Sequence, residues 1–280
     1  MRLATLVGVE LRKARAQKSH LLAVFLPAVA AFLTGGGMRL LEGLQKVRSR
    51  PVSDANGYTC LATAAGLGLF LGLLFLAVSA ALSIAGEVSS GTMKTLATRP
   101  FRREGIVSGK ALAFLLQVVV VVALVGGAAW LSGRVFYGYA DITDRQFKTY
   151  VFHDRARMDA EALKAFALAI LPMGATILFA LFLSALAPGP GAAVGLALGG
   201  LFVFELVKGF ARTAHHWLFA AYAPAVSDTS YFHELKGFAQ GLSDAGWSDR
   251  VLALSLAVPA ASLVLFWIAA ALVFRRRKLL

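Results

Sequence analysis

ANGYTCLATAAGLGLFLGLLFLAVSAALSIAG, Ala55–Gly86, is the stretch on which the fold turns. It runs for 32 residues without one Asp, Glu, Lys or Arg. A helix rises ~1.5 Å per residue, so about 20 mainly apolar residues cross the hydrocarbon core of a bilayer. Four further charge-free runs flank it: His20–Met38, Ala111–Gly133, Ala165–Phe204 and Val251–Phe274. The run Ala165–Phe204 is too long for one crossing, and Ala187-Pro188-Gly189-Pro190-Gly191 divides it, because two prolines around a glycine cannot continue a helix. Six spans result. They are helices, since lipid leaves only helices and closed barrels with their backbone groups satisfied and no period-2 barrel pattern is present.

Working outward, the whole 280-residue chain is 58% hydrophobic and only 15% charged, with mean hydropathy +0.71. A soluble domain carries about 25% charged residues. An ordinary soluble globule, a disordered tail and a fibrous repeat are thereby excluded. The formal charge is +13, but the basic residues sit beside the apolar runs, so membrane lipids rather than nucleic acid are the expected partners. The lone Cys60 permits no intrachain disulfide and no thiolate metal site.

The expected architecture is all-α and integral to the membrane. It is one transmembrane domain over residues 1–280, with spans near 20–38, 60–86, 109–132, 164–187, 190–210 and 251–274. No compositional boundary marks a second domain. Six spans put both termini on one side, leaving 39–57, 133–163 and 211–250 as loops on the other. Lys and Arg number 14 on each side. Those on the terminal side lie in shorter segments, and Arg275-Arg276-Arg277-Lys278 directly follows the last span. The positive-inside tendency therefore makes the terminal side cytoplasmic. The first span is not read as a cleaved signal peptide, because 19 residues precede it and no Ala-x-Ala site follows. In Met1–Ser19, Leu3, Leu6, Val7, Leu11 and Ala14 recur at helical spacing, predicting an amphipathic helix in the interface.

The 87–110 segment, EVSSGTMKTLATRPFRREGIVSGK, is the most informative of the connections. Ser89 or Ser90 can cap a short helix whose apolar face is Met93, Leu96 and Ala97, and Pro100 ends it. Taken singly, Arg102, Arg103 and Lys110 suit plain anchoring, with Glu87 pairing to one of them. Taken together, Glu87, Gly91-Thr92, Lys94, Pro100, Arg102-Arg103 and Gly109-Lys110 resemble the ABC-2 family of ABC-transporter permease subunits. The basic amphipathic start Glu10-Leu11-Arg12-Lys13, six spans and cytoplasmic termini extend the resemblance over most of the chain.

That resemblance implies a cytoplasmic coupling helix within 87–105, gripped by a separate ATPase subunit, with Glu87, Gly91, Thr92, Met93, Lys94, Leu96, Pro100, Arg102, Arg103 and Lys110 as the coupling residues. It also implies two permease copies with two ATPases in the bacterial plasma (inner) membrane, and mostly export. ATP and Mg are then expected on the partner. This chain has no Gly-x-x-x-x-Gly-Lys-[Ser/Thr] loop, no His-Glu-x-x-His and no Gly-x-Ser-x-Gly, so it is not expected to be an enzyme or to carry a catalytic residue or cofactor.

Other candidates are weaker. His215-His216, with Asp228 and His233, reads as a polar interfacial group rather than a metal site, because neighbouring helix positions diverge. Glu205 is the one acid inside an apparent span. Lys208, at i+3, can pair with it, and an outer gate is the alternative reading. Gly68 and Gly72, and Gly191, Gly195 and Gly199, recur every fourth residue, which suits close helix packing, a dimer contact or a smooth pathway for a hydrophobic or amphipathic cargo. Trp217, Tyr222, Tyr231, Phe232 and Trp247 suit an aromatic belt. The expectation is a permease subunit of an ABC transporter. A subunit that transmits force to an external partner and an ATP-independent carrier or channel are the rivals.

Overall fold

The computed structural model describes residues 3–47, 56–92, 103–143, 151–225, 229–242 and 246–276. Eight α-helices are described: α1 (Leu3–Ala16), α2 (Lys18–Val47), α3 (Gly57–Ser89), α4 (Arg103–Phe136), α5 (Arg155–Leu186), α6 (Pro190–Phe210), α7 (Tyr231–Ala239) and α8 (Asp249–Arg276). A two-stranded antiparallel ribbon, β1 (Ile142–Thr143) with β2 (Val151–His153), joins α4 to α5. Six helices, α2 to α6 and α8, are long and apolar enough to cross a membrane. The chain is an all-α, multi-pass membrane protein.

The helices overrun the charge-free runs. α2 continues through residues 39–47, part of the expected 39–57 loop. Leu40, Leu41 and Leu44 stay on an exposed face there, and Glu42 is held by Arg39 (3.3 Å) and Tyr137 (3.0 Å). α5 starts at Arg155 rather than 164, and Tyr58 on α3 donates to Asp159 Oδ1 (2.8 Å) within its first turns. The division after Leu186 falls where the Pro-Gly-Pro stretch lies, with Pro190 at the first position of α6, where its missing N–H costs nothing.

α3 is the axis of the bundle and touches α2, α4, α5, α6 and α7. Its alanines and glycines allow this. A Cβ on Gly68 would stand 2.7 Å from Val125 Cγ1 on α4 and 2.8 Å from Ala31 Cβ on α2, and one on Gly72 would stand 2.7 Å from Val121 Cγ1. Ser184 of α5 is inserted into the α3 ladder: its hydroxyl donates to Ala81 O and accepts from the N–H groups of Ile84 (3.1 Å) and Ala85 (3.0 Å). All three bonding positions of a hydroxyl are thereby used, at a wholly buried site.

Between α6 and α8 the chain folds inward as two 3-10 turns, Arg212–Trp217 and Phe219–Tyr222, and then α7. The expected aromatic belt is corrected here. Tyr222, Tyr231 and Phe232 are buried, Trp247 meets Tyr222 and Tyr231 edge-on at 5.5 and 5.0 Å, and Trp217 alone of the five is exposed. Edge-to-face packing among themselves and against Phe166 of α5 gives these rings more buried area than a surface position would.

Candidate functional site

α1 docks on the first turns of α4 through small residues. A Cβ on Gly109 would stand 2.9 Å from Leu6 Cβ, so only glycine lets the two helices come this close. That approach brings four charged side chains from three helices together. Lys110 Nζ on α4 donates to Glu87 Oε1 at the end of α3 (2.8 Å) and to Glu10 Oε2 on α1 (3.1 Å). Lys13 Nζ, one turn from Glu10, donates to Glu10 Oε1 (2.9 Å) and also to Glu87 Oε1 (3.1 Å). Two cations and two anions make the knot neutral, which is the condition for holding charge out of water.

The Lys110 side chain is only 1% exposed, and those of Glu10 and Glu87 are 18% and 20% exposed. Charges this sheltered are screened weakly by salt. Burial by itself would push the Glu10 carboxyl up, but Lys110 and Lys13 outweigh it and hold it below its ordinary 4.5. Burial would likewise push Lys13 down, and Glu10 and Glu87 hold it above its ordinary 10.5.

The residues after Glu87 end α3 tightly. Gly91 has φ +75°, the left-handed conformation that glycine adopts without strain. Thr92 Oγ1 and Ser90 Oγ donate to Glu87 O (3.2 and 3.3 Å), and Ser89 Oγ donates to Gly86 O (2.9 Å). The Gly91-Thr92 pair is therefore a helix stop: the Gly91 N–H meets Val88 O (3.2 Å) and the Thr92 hydroxyl meets Glu87 O. Met93, Lys94, Leu96, Pro100 and Arg102 lie outside the described residues. Arg103 opens α4. The far end of α8 also arrives here: Trp267 Nε1 donates to Ser108 Oγ (3.2 Å), and Arg275 pairs with Glu104 (3.4 Å).

Glu87 and Lys110 thus meet across the segment they bracket, while Glu10 and Lys13 join them although the sequence offered them only as part of a basic amphipathic start. A signal existed: Glu10 is the single acid among the first 41 residues, and Lys13 stands on its face at i+3.

The remaining candidates are dispersed. Lys208 and Glu205 pair within α6 at 2.7 Å, with the lysine side chain 1% exposed, beside an apolar cavity of about 230 Å³ lined by Phe70, Leu73, Thr176 and Leu201. Gly68 and Gly72 serve packing inside the chain, whereas a Cβ on Gly191, Gly195 or Gly199 meets nothing within 4 Å. The rings of His215 and His216 lie 4.2 Å apart, and Tyr222 donates to His216 O. Asp228 lies outside the described residues. Cys60 is buried, 3.8 Å from Ser132 Oγ.

No curated protein matches the chain. The family described as "Protein of unknown function (DUF2705)" matches residues 41–280, a stretch that includes Glu87 and Lys110 but begins after Glu10 and Lys13. Covering most of the sequence, that match establishes that the chain belongs to the DUF2705 family.

Proposed function

We propose that the chain is the membrane-spanning permease subunit of an ATP-driven transporter of the ABC-2 kind. In this reading the termini are cytoplasmic, in a bacterial inner membrane, and the 87–105 segment is gripped by a separate ATPase subunit that supplies ATP and Mg. Two permease copies work with two ATPases to export a hydrophobic or amphipathic cargo. The observation that carries the reading is the knot of Glu10, Lys13, Glu87 and Lys110 at the two roots of that segment. A push on residues 93–102 reaches α3 through Glu87 and α4 through Lys110, and α1 is tied to both. Three helices then move as one lever rather than bending at a loop. The open glycine face of α6 supports a second copy as its neighbour.

The test is affinity purification from gently solubilised native membranes, comparing wild type with a Met93→Asp, Leu96→Asp double variant. An ATPase subunit that co-purifies with wild type and not with the variant is the expected result. If no ATPase is retained under conditions that keep other membrane complexes whole, the carrier or channel reading replaces this one.

A further inference from the structure

α1 turns its two kinds of charge to opposite sides. At about 100° per residue, Glu10 and Lys13 share one side of the helix, and Arg12 and Arg15 fall on the other. Burial agrees with that division. Glu10 and Lys13 are half-buried in the knot, whereas Arg12 and Arg15 are exposed, as is Lys18 at the first position of α2. Glu10 is the single acid among the first 41 residues, and Lys13 and Lys110 already hold it. Among the described residues, no acid pairs with Arg12, Arg15 or Lys18. The outward side of α1 is therefore cationic, with no anion of its own.

What these cations face follows from α2. Leu22, Phe25 and Val29 come after Lys18 at i+4, i+7 and i+11, which is one stripe of a helix. They are 60%, 54% and 51% exposed. α2 is one of the helices long and apolar enough to cross a membrane, so the stripe lies against acyl chains. From Lys18 to Val29 the helix rises about 16 Å, close to half of the ~30 Å hydrocarbon core. With the stripe filling one leaflet, Lys18 stands at headgroup depth, and Arg15 and Arg12 stand one and two turns before it. An acidic soluble partner would answer the charges, but it would leave their continuity with an apolar stripe unexplained.

We propose that Arg12, Arg15 and Lys18 hold the headgroup of an anionic phospholipid whose acyl chain lies along Leu22, Phe25 and Val29. The guanidinium groups donate to phosphate oxygens, for which their planar fork is suited, and Lys18 supplies a third positive charge at the top of the stripe. A zwitterionic headgroup carries its own ammonium beside the phosphate, so three unopposed cations favour a lipid with net negative charge. The lipid then holds α1 from outside as the knot holds it from inside. This assignment concerns the chain and its bilayer and is independent of any ATPase partner.

The test is native mass spectrometry of the full chain in detergent, titrated with phosphatidylglycerol and phosphatidylcholine of matched acyl chains. Wild type is expected to retain phosphatidylglycerol about tenfold better. Arg275 and Arg276 at the end of α8 are exposed too, so the site is located by difference. Arg12→Gln, Arg15→Gln and Lys18→Gln together should lower the preference at least about fivefold, whereas Arg12→Lys with Arg15→Lys, which keeps every charge, should change it less than about twofold. All three side chains are exposed, so the midpoint of thermal unfolding should stay unchanged in both variants. Equal retention of the two lipids by wild type would overturn the proposal, as would a preference that survives the triple variant. Displacement of the lipid by glycerol phosphate at equal concentration would overturn its lipid component and make the ligand a soluble phosphate. A triple variant that keeps its lipid preference but loses a co-purifying protein would assign the cations to an acidic protein surface instead.

Discussion

Lys110 is the buried centre of the knot, with a side chain only 1% exposed. It is the one lysine of the knot that is out of contact with water, and it answers both carboxylates. Lys110→Met keeps the length of the side chain but leaves two sheltered anions with Lys13 alone. We expect a loss of about 3–5 kcal/mol, seen as a lower midpoint of thermal unfolding in detergent. Lys13→Met should cost clearly less, because that side chain is already over a third exposed. The pH dependence follows from the directions of the shifts. Glu10 titrates below 4.5 in the folded chain, so its contribution is complete above 4.5 and fades as pH falls toward its lowered value. Lys13 titrates above 10.5, so its contribution is complete below 10.5 and fades as pH rises past it. Hydrogen–deuterium exchange of α1, pulsed at each pH and corrected for the intrinsic pH dependence of exchange, should report α1 protected from about 4.5 to about 10.5 and less protected outside that window. Loosening already at pH 6 would assign the docking of α1 to something other than Glu10.

At the scale of elements, glycines of identical spacing do different work. Gly68 lies where α3 crosses α2 and α4, with no room for a Cβ, whereas Gly195 faces open space. Gly68→Leu should therefore destabilise the single chain by about 1–3 kcal/mol or more through overpacking, while Gly195→Leu should change its stability by less than about 0.5 kcal/mol. If α6 meets a second copy, Gly195→Leu should instead shift the oligomeric state in size-exclusion chromatography with light scattering. Ser184→Ala leaves the α3 ladder without its inserted hydroxyl; the expected cost is about 1–2 kcal/mol, with faster amide exchange at Ile84 and Ala85. The existence of each long helix was legible in the sequence, because an uninterrupted apolar run is a local property. The functional difference between Gly68 and Gly195 was not, because spacing reports which face of a helix is small and says nothing of what stands opposite.

For the whole molecule, the four-residue knot, the inserted Ser184 and the Trp267–Ser108 bond all lie at or near the end of the bundle that receives α1. The opposite end is closed by the β ribbon, α7 and the aromatic cluster around Trp247. If the permease reading holds, Glu87→Gln with Lys110→Met should fold better than Lys110→Met alone, because it removes an anion with the cation. It should still lose cargo-stimulated ATP hydrolysis in reconstituted vesicles while retaining the ATPase subunit. Full stimulation in that double variant would show that the lever does not run through the knot.

What the sequence determined by itself was the six membrane helices and the break at Pro188-Gly189-Pro190. Each depends on hydropathy or backbone geometry within a few residues, and neither waits on the rest of the chain. A pairing of Glu87 with one of Arg102, Arg103 and Lys110 was legible because all lie across one short connection, and the structure places Lys110, 23 positions away, against it. Only the tertiary structure decided that Glu10 and Lys13 complete them, across 74 to 100 positions. The physical reason is that charge in a bilayer must be neutralised by whatever charge packing brings within about 3 Å. That choice is made by how closely α1 rides on Gly109 and by which end of the bundle α3 and α4 share.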